Sequence, residues 1–191
     1  MDEAETDSEA VARLRATAHP VRLRILSLLT AEAMSAAEVA RALGITHANA
    51  SYHLRLLHDI GELVVESEEK IRGGVAKRYR HDATRELFVR GSGVDDRVAY
   101  ARANAVEVER RLFDTAKGSG TSSDLETWVP VEDWHRVLDL LHEASHLLHT
   151  AARPAGSPET IHVSFTSNAF TMSGGLTGEA VRWMPTKETT R

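Results

Sequence analysis

His142, Glu143 and His146 stand in the pattern H-E-x-x-H, inside the stretch HEASHLLH at residues 142–149. Two imidazoles one helical turn apart grip a metal ion, and the glutamate beside them activates the water that the ion carries. The chemistry on offer is zinc-dependent hydrolysis. A hydrolytic zinc also needs a third protein ligand and a supporting shell around it. In the extended form of the motif a glycine and then a third histidine follow at three-residue steps; His149 and Ala152 occupy those places here. The remaining downstream carboxylates are Glu159, Glu179 and Glu188.

The helix that must carry these residues runs from about Val131 to Ala152. At 100° per residue, Val137, Leu140, Leu141, Ala144, Leu147, Leu148 and Ala151 gather on one side, and His135, His142, His146 and His149 on the other. That arrangement predicts a solvated polar face, no resident cofactor and no catalysis. Two other readings stay open. In one, the His135, His142, His146 and His149 stripe forms a metal- or pH-responsive sensor, with zinc or another divalent ion held by His142, His146 or His149 and completed by Asp139, Glu143 or a dimer partner. The other is the zinc hydrolase itself.

The 191-residue chain suits one domain with a sizeable extension, or two small domains. It has no cysteine, which excludes disulfides and thiolate chemistry and fits a reducing compartment. No apolar run approaches the roughly 18 residues of a membrane span, and the acidic start MDEAETDSEAVARL is opposite in charge to a leader. A soluble, cytoplasmic protein is expected. The net charge of −5 hides an uneven distribution: basic residues outnumber acidic ones from Ala10 to His81, whereas the flanking segments are acidic. A basic module on an acidic body is the layout of a polyanion binder.

Within that module, SEAVARLRATAHPVRLRILSLLTAE reads as two helices hinged at His19-Pro20. In MSAAEVARALG, Ser35 and Glu38 make a capping box and Gly44 ends a helix running from about Ser35 to Leu43. Thr46 caps a following helix, to Asp59, that turns Ala50, Leu54 and Leu57 inward. Thr46, His47, Ala48, Ser51, Tyr52 and Arg55 point elsewhere, and His53 lies near the buried edge. Two short helices about a glycine turn make a helix-turn-helix, whose second helix fits a major groove. The period then changes to two: ELVVESEE and VAKRYRHD flank KIRGG, a hairpin whose Gly73-Gly74 permits positive φ. Lys70, Arg72, Lys77, Arg78 and Arg80 are expected along phosphates beside the groove.

The ordered set HPVRLRILSLL, AAEVARALGIT, ASYHLRLLHDIGELV and GGVAKRYR resembles the ArsR-type winged helix-turn-helix transcriptional regulators over residues 10–81. The resemblance implies a homodimer that reads double-stranded operator DNA with the second helix of the motif. The family's Ser-x-His-Leu pattern falls on Ser51, Tyr52, His53 and Leu54. Tyr52 stands where many members carry Arg, and Glu62 follows Gly61 where an apolar residue is common, which predicts a slightly looser start to the wing.

DATRELFV is read as a short closing helix and VDDRVAYARANAVEVERRLFDTAK as one long helix, with Val98, Ala101, Ala105, Val108 and Leu112 as its apolar stripe and dimer surface. LETWVPV and TIHVSFTSNAF are read as strands around the histidine-bearing helix. The expected class is mainly α with small β (α+β). Residues 1–9 are taken as an acidic disordered start, 10–90 as the winged helix-turn-helix domain, 91–171 as a dimerisation and effector region with a small α/β body, and 172–191 as a flexible tail. The expected function is a DNA-binding transcriptional regulator, a repressor rather than an activator. Base reading is assigned to helix 46–59 through Thr46, His47, Ser51, Tyr52, His53 and Arg55, and phosphate contact to the wing at about 68–80 through Lys70, Arg72, Lys77 and Arg78. Expected partners are operator DNA, a second copy of the chain and a small-molecule effector.

Overall fold

Proline at position 20 cannot continue the preceding helix but suits the first turn of a new one. In the computed structural model, which describes residues 3–71, 74–81, 93–115, 120–172 and 174, the chain breaks there. Helix α1 spans Glu3–Thr17 and α2 spans Pro20–Leu29. The Thr17 hydroxyl donates back to the Arg13 carbonyl at 2.9 Å, and His19 caps α2 by accepting the Val21 amide on Nδ1 at 3.2 Å. Since α1 begins at Glu3, the acidic start expected to be disordered is helical from that residue on.

A two-residue strand, β1 (Met34–Ser35), leads into α3 (Ala36–Leu43), and α4 (His47–Asp59) follows. The hairpin is β2 (Leu63–Ile71) and β3 (Gly74–His81), in an antiparallel sheet of order β1-β3-β2. Leu63 faces His81 and Lys70 faces Val75 across the hairpin, with an irregularity between Val65 and Ser67 that leaves Glu66 as the extra residue of a bulge. Gly74 lies in β3 with φ outside the left-handed region, and Gly73 lies outside the described residues. Ile25, Leu29, Val39, Ala50, Leu54 and Leu57, all fully buried, form one core with Leu63 and Tyr79. Full burial of each large side chain contributes about 1.5–3 kcal/mol, so this cluster fixes α4 against α2, α3 and the sheet.

Beside that core lies a charged joint. Arg13 Nε donates to Glu62 Oε1 at 2.6 Å, and Glu62 is 1% exposed. His81 Nε2 stands 3.7 Å from Glu62 Oε2, and its Nδ1 lies 3.3 Å from the Thr30 hydroxyl. The expectation that Glu62 loosens the start of the wing is therefore corrected: its carboxylate ties the first residues of β2 to α1 and the end of β3.

Helix α5 spans Val94–Leu112 and packs on α1 and α2. Its covered side is formed by Ala103 and Glu107, with Tyr100, Asn104, Val108 and Arg111 half-buried. Arg15 Nε donates to Asp96 at 2.8 Å, and Arg110 Nε to Glu107 at 3.0 Å. Of the expected apolar stripe only Val108 is half-covered; Val98, Ala101, Ala105 and Leu112 are exposed. The helix stops at Leu112, short of Lys117, and the closing helix read in DATRELFV lies outside the described residues.

The chain divides into two compact units, Met1–Asp114 with Ala152–Ile161, and Thr115–Ala151 with His162–Arg191. The second contains α6 (Val131–Ala151). The α+β class is as expected, but residues 120–130 and 152–172 carry no strand. Among the described residues the segments LETWVPV and TIHVSFTSNAF find no ladder partner, Pro130 lacks an amide donor, and Leu125, Trp128, Ile161 and Phe170 stay exposed. Of the expected tail, Met172 and Gly174 alone are described.

Candidate nucleic-acid interface

Local hydrogen bonds set the angle between α3 and α4. Ser35 accepts the Glu38 amide, while the Glu38 carboxylate accepts the Ser35 amide at 2.7 Å, completing the capping box. Gly44 ends α3 at φ 65, a left-handed value that favours glycine, and the Ile45 amide returns to the Ala40 carbonyl at 3.1 Å. The Thr46 hydroxyl then accepts the Asn49 amide at 3.2 Å and starts α4. At the other end Gly61, φ 76, lets the Glu62 amide reach the Leu57 carbonyl at 2.9 Å. Both ends of α4 are thus fixed by short-range bonds, and its buried side by Ala50, Leu54 and Leu57.

The opposite side of α4 presents donors and acceptors. His47, Tyr52 and Arg55 are exposed, Tyr52 at 56%, and Ser51 is half-buried. Arg55 Nε donates to the Ser51 carbonyl at 3.2 Å, which folds the guanidinium along its own helix. An open groove lined by Tyr52, Arg55, Leu56, Asp59 and Ile60 adjoins it. Thr46 spends its hydroxyl on the cap. His53 is turned inward and 6% exposed, its ring 5.0 Å from that of His19. The cost of burying charge and the neighbouring His19 and Arg22 hold its pKa below the usual imidazole value.

The wing differs from the expected row of phosphate clamps. Arg78 has partners within the fold: its guanidinium reaches both Glu38 carboxylate oxygens at 3.0 and 2.9 Å and the Ala33 carbonyl at 2.7 Å. A half-buried cation held on three oxygens joins β3 to α3, which commits much of its guanidinium to the fold. Bonding to the Ser35 amide, with help from the Ser35 hydroxyl and Arg78, brings the Glu38 pKa down to about 2. Arg80 pairs across the hairpin with Glu66, which lowers the pKa of Glu66. Lys77 faces Glu68 at 3.8 Å, an exposed pair weak enough to be exchanged for a phosphate. Lys70 is exposed on β2, and Arg72 lies outside the described residues.

The helix proposed for metal chemistry is arranged differently from its periodicity. Its half-buried residues include Trp134, His135, Leu138, His142, Ser145 and His149 together with Leu141, Ala144 and Leu148 of the expected apolar face, while Val137, Leu140, Leu147 and Ala151 of that face are exposed. The expected placement of the whole histidine stripe in solvent is therefore corrected, and only His146 of the four is exposed. His149 Nδ1 donates to the Ser145 carbonyl at 2.8 Å. Among the described residues no group of three or more His, Cys, Asp or Glu side chains is placed to hold a metal ion.

Two short helices about a left-handed glycine, backed by a three-stranded wing, are the geometry of a winged helix. The family model for a helix-turn-helix domain matches residues 17–66. The match runs from the last residue of α1 through both helices of the motif to the bulge in β2. No curated protein matches the chain. No described helix is long and apolar enough to cross a membrane.

Residue patterns missed two features of this helix-turn-helix domain. Arg22 and His19 lie beside His53, signalled by the HPVR sequence at the head of α2. Arg13 pairs with Glu62, signalled by one acid between Gly61 and Leu63.

Proposed function

We propose that the protein regulates transcription as a homodimer that binds operator DNA, acting as a repressor of the kind its ArsR resemblance implies. The observation that carries this reading is the outer face of α4: His47, Ser51, Tyr52 and Arg55 turned away from the core on a helix fixed at both ends. Such a helix enters a major groove about 12 Å wide, where hydroxyl, imidazole and guanidinium groups meet base edges. Lys70 and Lys77, with Arg72, supply phosphate contacts beside it. Dimerisation is assigned to α5, whose exposed Val98, Ala101, Ala105 and Leu112 recur at the three- and four-residue steps of helix pairing.

Selection of duplexes from a random pool, followed by titration of variants on selected and random DNA, tests the reading. Arg55→Ala and Ser51→Ala are expected to weaken the selected site by about 1–3 kcal/mol and random DNA much less. Lys70→Ala is expected to weaken both and lower the salt slope by about 1. Equal losses on both DNAs for all three remove base reading from α4; salt-independent behaviour with no duplex binding makes the domain a protein-docking module instead.

A further inference from the structure

At the head of α2 the fold gathers three basic side chains, with no acid beside them among the described residues. His19 caps the helix through Nδ1, Arg22 stands in its first turn, and the His53 ring from α4 lies 5.0 Å from the His19 ring at an interplanar angle of 44°. The Tyr52 ring is 5.2 Å from that of His53. Accepting the Val21 amide on Nδ1 leaves neutral His19 with its proton on Nε2, available as a donor. His53 Nδ1 and Arg22 Nε are both buried without a hydrogen-bond partner.

Burial lowers the pKa of His19, Arg22 and His53, and the charge on Arg22 lowers both imidazoles further. Among the described residues no carboxylate acts on any of the three; Tyr52 acts in the opposite sense on Arg22. A site that served packing alone is filled at less cost by apolar side chains of similar volume. A half-buried guanidinium whose Nε–H is covered and idle, beside two imidazoles that resist protonation until a negative charge arrives, is instead suited to an oxyanion.

We propose that His19, Arg22, Tyr52 and His53 form a pocket at the flank of the recognition helix that takes one backbone phosphate of bound duplex DNA. The proposal rests on the DNA-binding reading above. Its position favours a DNA phosphate over a free one. Tyr52 belongs at once to this cluster and to the exposed face that carries Arg55, so an anion held here is continuous with a groove occupied by α4. The contact would position the helix without reading sequence.

The test is anisotropy titration of a labelled mixed-sequence duplex between roughly 50 and 200 mM KCl, for wild type and Arg22→Gln. The variant is expected to bind about tenfold more weakly, with the log–log salt slope reduced by about 0.9, the share of one phosphate, and with its melting temperature unchanged or raised. Wild-type affinity and slope in a folded variant overturn the pocket and leave the DNA reading standing. A wild-type chain that binds no duplex overturns both. Should Arg22→Gln fail to fold, histidine C2–H titration of the wild type by NMR decides: the pKa values of His19 and His53 are expected to rise on adding duplex. No rise overturns the proposal, and a rise with inorganic phosphate at matched ionic strength but not with duplex overturns the assignment to DNA.

Discussion

Arg13 and Glu62 meet at 2.6 Å where almost no water reaches, 9% and 1% exposed, across forty-nine positions of sequence. The pair joins the helix before the helix-turn-helix to the first residues of the wing, and His81 closes the joint from the end of β3. Such a pair is a poor source of net stability but expensive to halve, since loss of either partner takes from a buried charge its nearest counter-charge.

Glu62→Ala is therefore expected to lower unfolding free energy by about 3–5 kcal/mol in urea titration. The joint replacement Arg13→Met with Glu62→Leu should recover most of that loss. A single variant within about 0.5 kcal/mol of wild type contradicts a joint of this kind.

Acid should weaken the contact between α3 and β3. Glu38 keeps its charge to about pH 2 when folded, held by the Ser35 amide and hydroxyl and by Arg78, against a usual value of 4.5. A depressed carboxylate contributes stability that is present above the unfolded value and lost as pH falls through the folded one. The contribution is thus intact at neutral pH and declines from about pH 4.5 towards about 2. Glu38→Gln should remove on the order of 2 kcal/mol at neutral pH and flatten the stability profile below pH 5, read by denaturation at stepped pH.

The histidines behind α4 give a second pH dependence in a higher window. His19 and His53 have lowered values relative to 6.5, first through burial, so the unfolded chain binds protons that the folded one refuses. Stability without DNA is expected to fall as pH drops below about 6.5, and His53→Gln should remove part of that slope. A profile flat from pH 7.5 to 5.5 contradicts it.

Val98→Glu and Ala105→Glu on α5 test the dimer. Each places a charge on the exposed apolar stripe while leaving the covered side, Ala103 and Glu107, untouched. Sedimentation equilibrium is expected to show at least a tenfold weaker dimer with an unchanged monomer fold. Unchanged association moves the interface away from this stripe.

The parts legible in the sequence are those fixed within one turn of chain: the Ser35–Glu38 box, the Gly44 stop, the Thr46 cap and the inward set Ala50, Leu54 and Leu57. Each depends on neighbours at three- or four-residue spacing, which periodicity exposes. The tie from Arg78 to Glu38 was not legible because the two lie forty positions apart in sequence. Glu62 was read as a disturbance for the same reason. Alternation in LETWVPV and TIHVSFTSNAF is a property of each segment, but a strand is a property of two, and neither segment has a partner among the described residues. In α6 the apolar side was assumed to be the covered one; outside a closed core nothing forces that, and Leu140 and Leu147 lie exposed.

The bulge at Glu66 bears on how copies of this chain can meet. In the described sheet β2 is the outer strand, the place where a second molecule would add a strand of its own. The bulge breaks the regular spacing of its free amides and carbonyls, and Glu68, Glu69 and Lys70 follow as an exposed charged run. The other border, β1, is two residues long. With neither border fit to be extended, ribbon growth from sheet to sheet is closed to this domain, and orderly self-association is left to its helices.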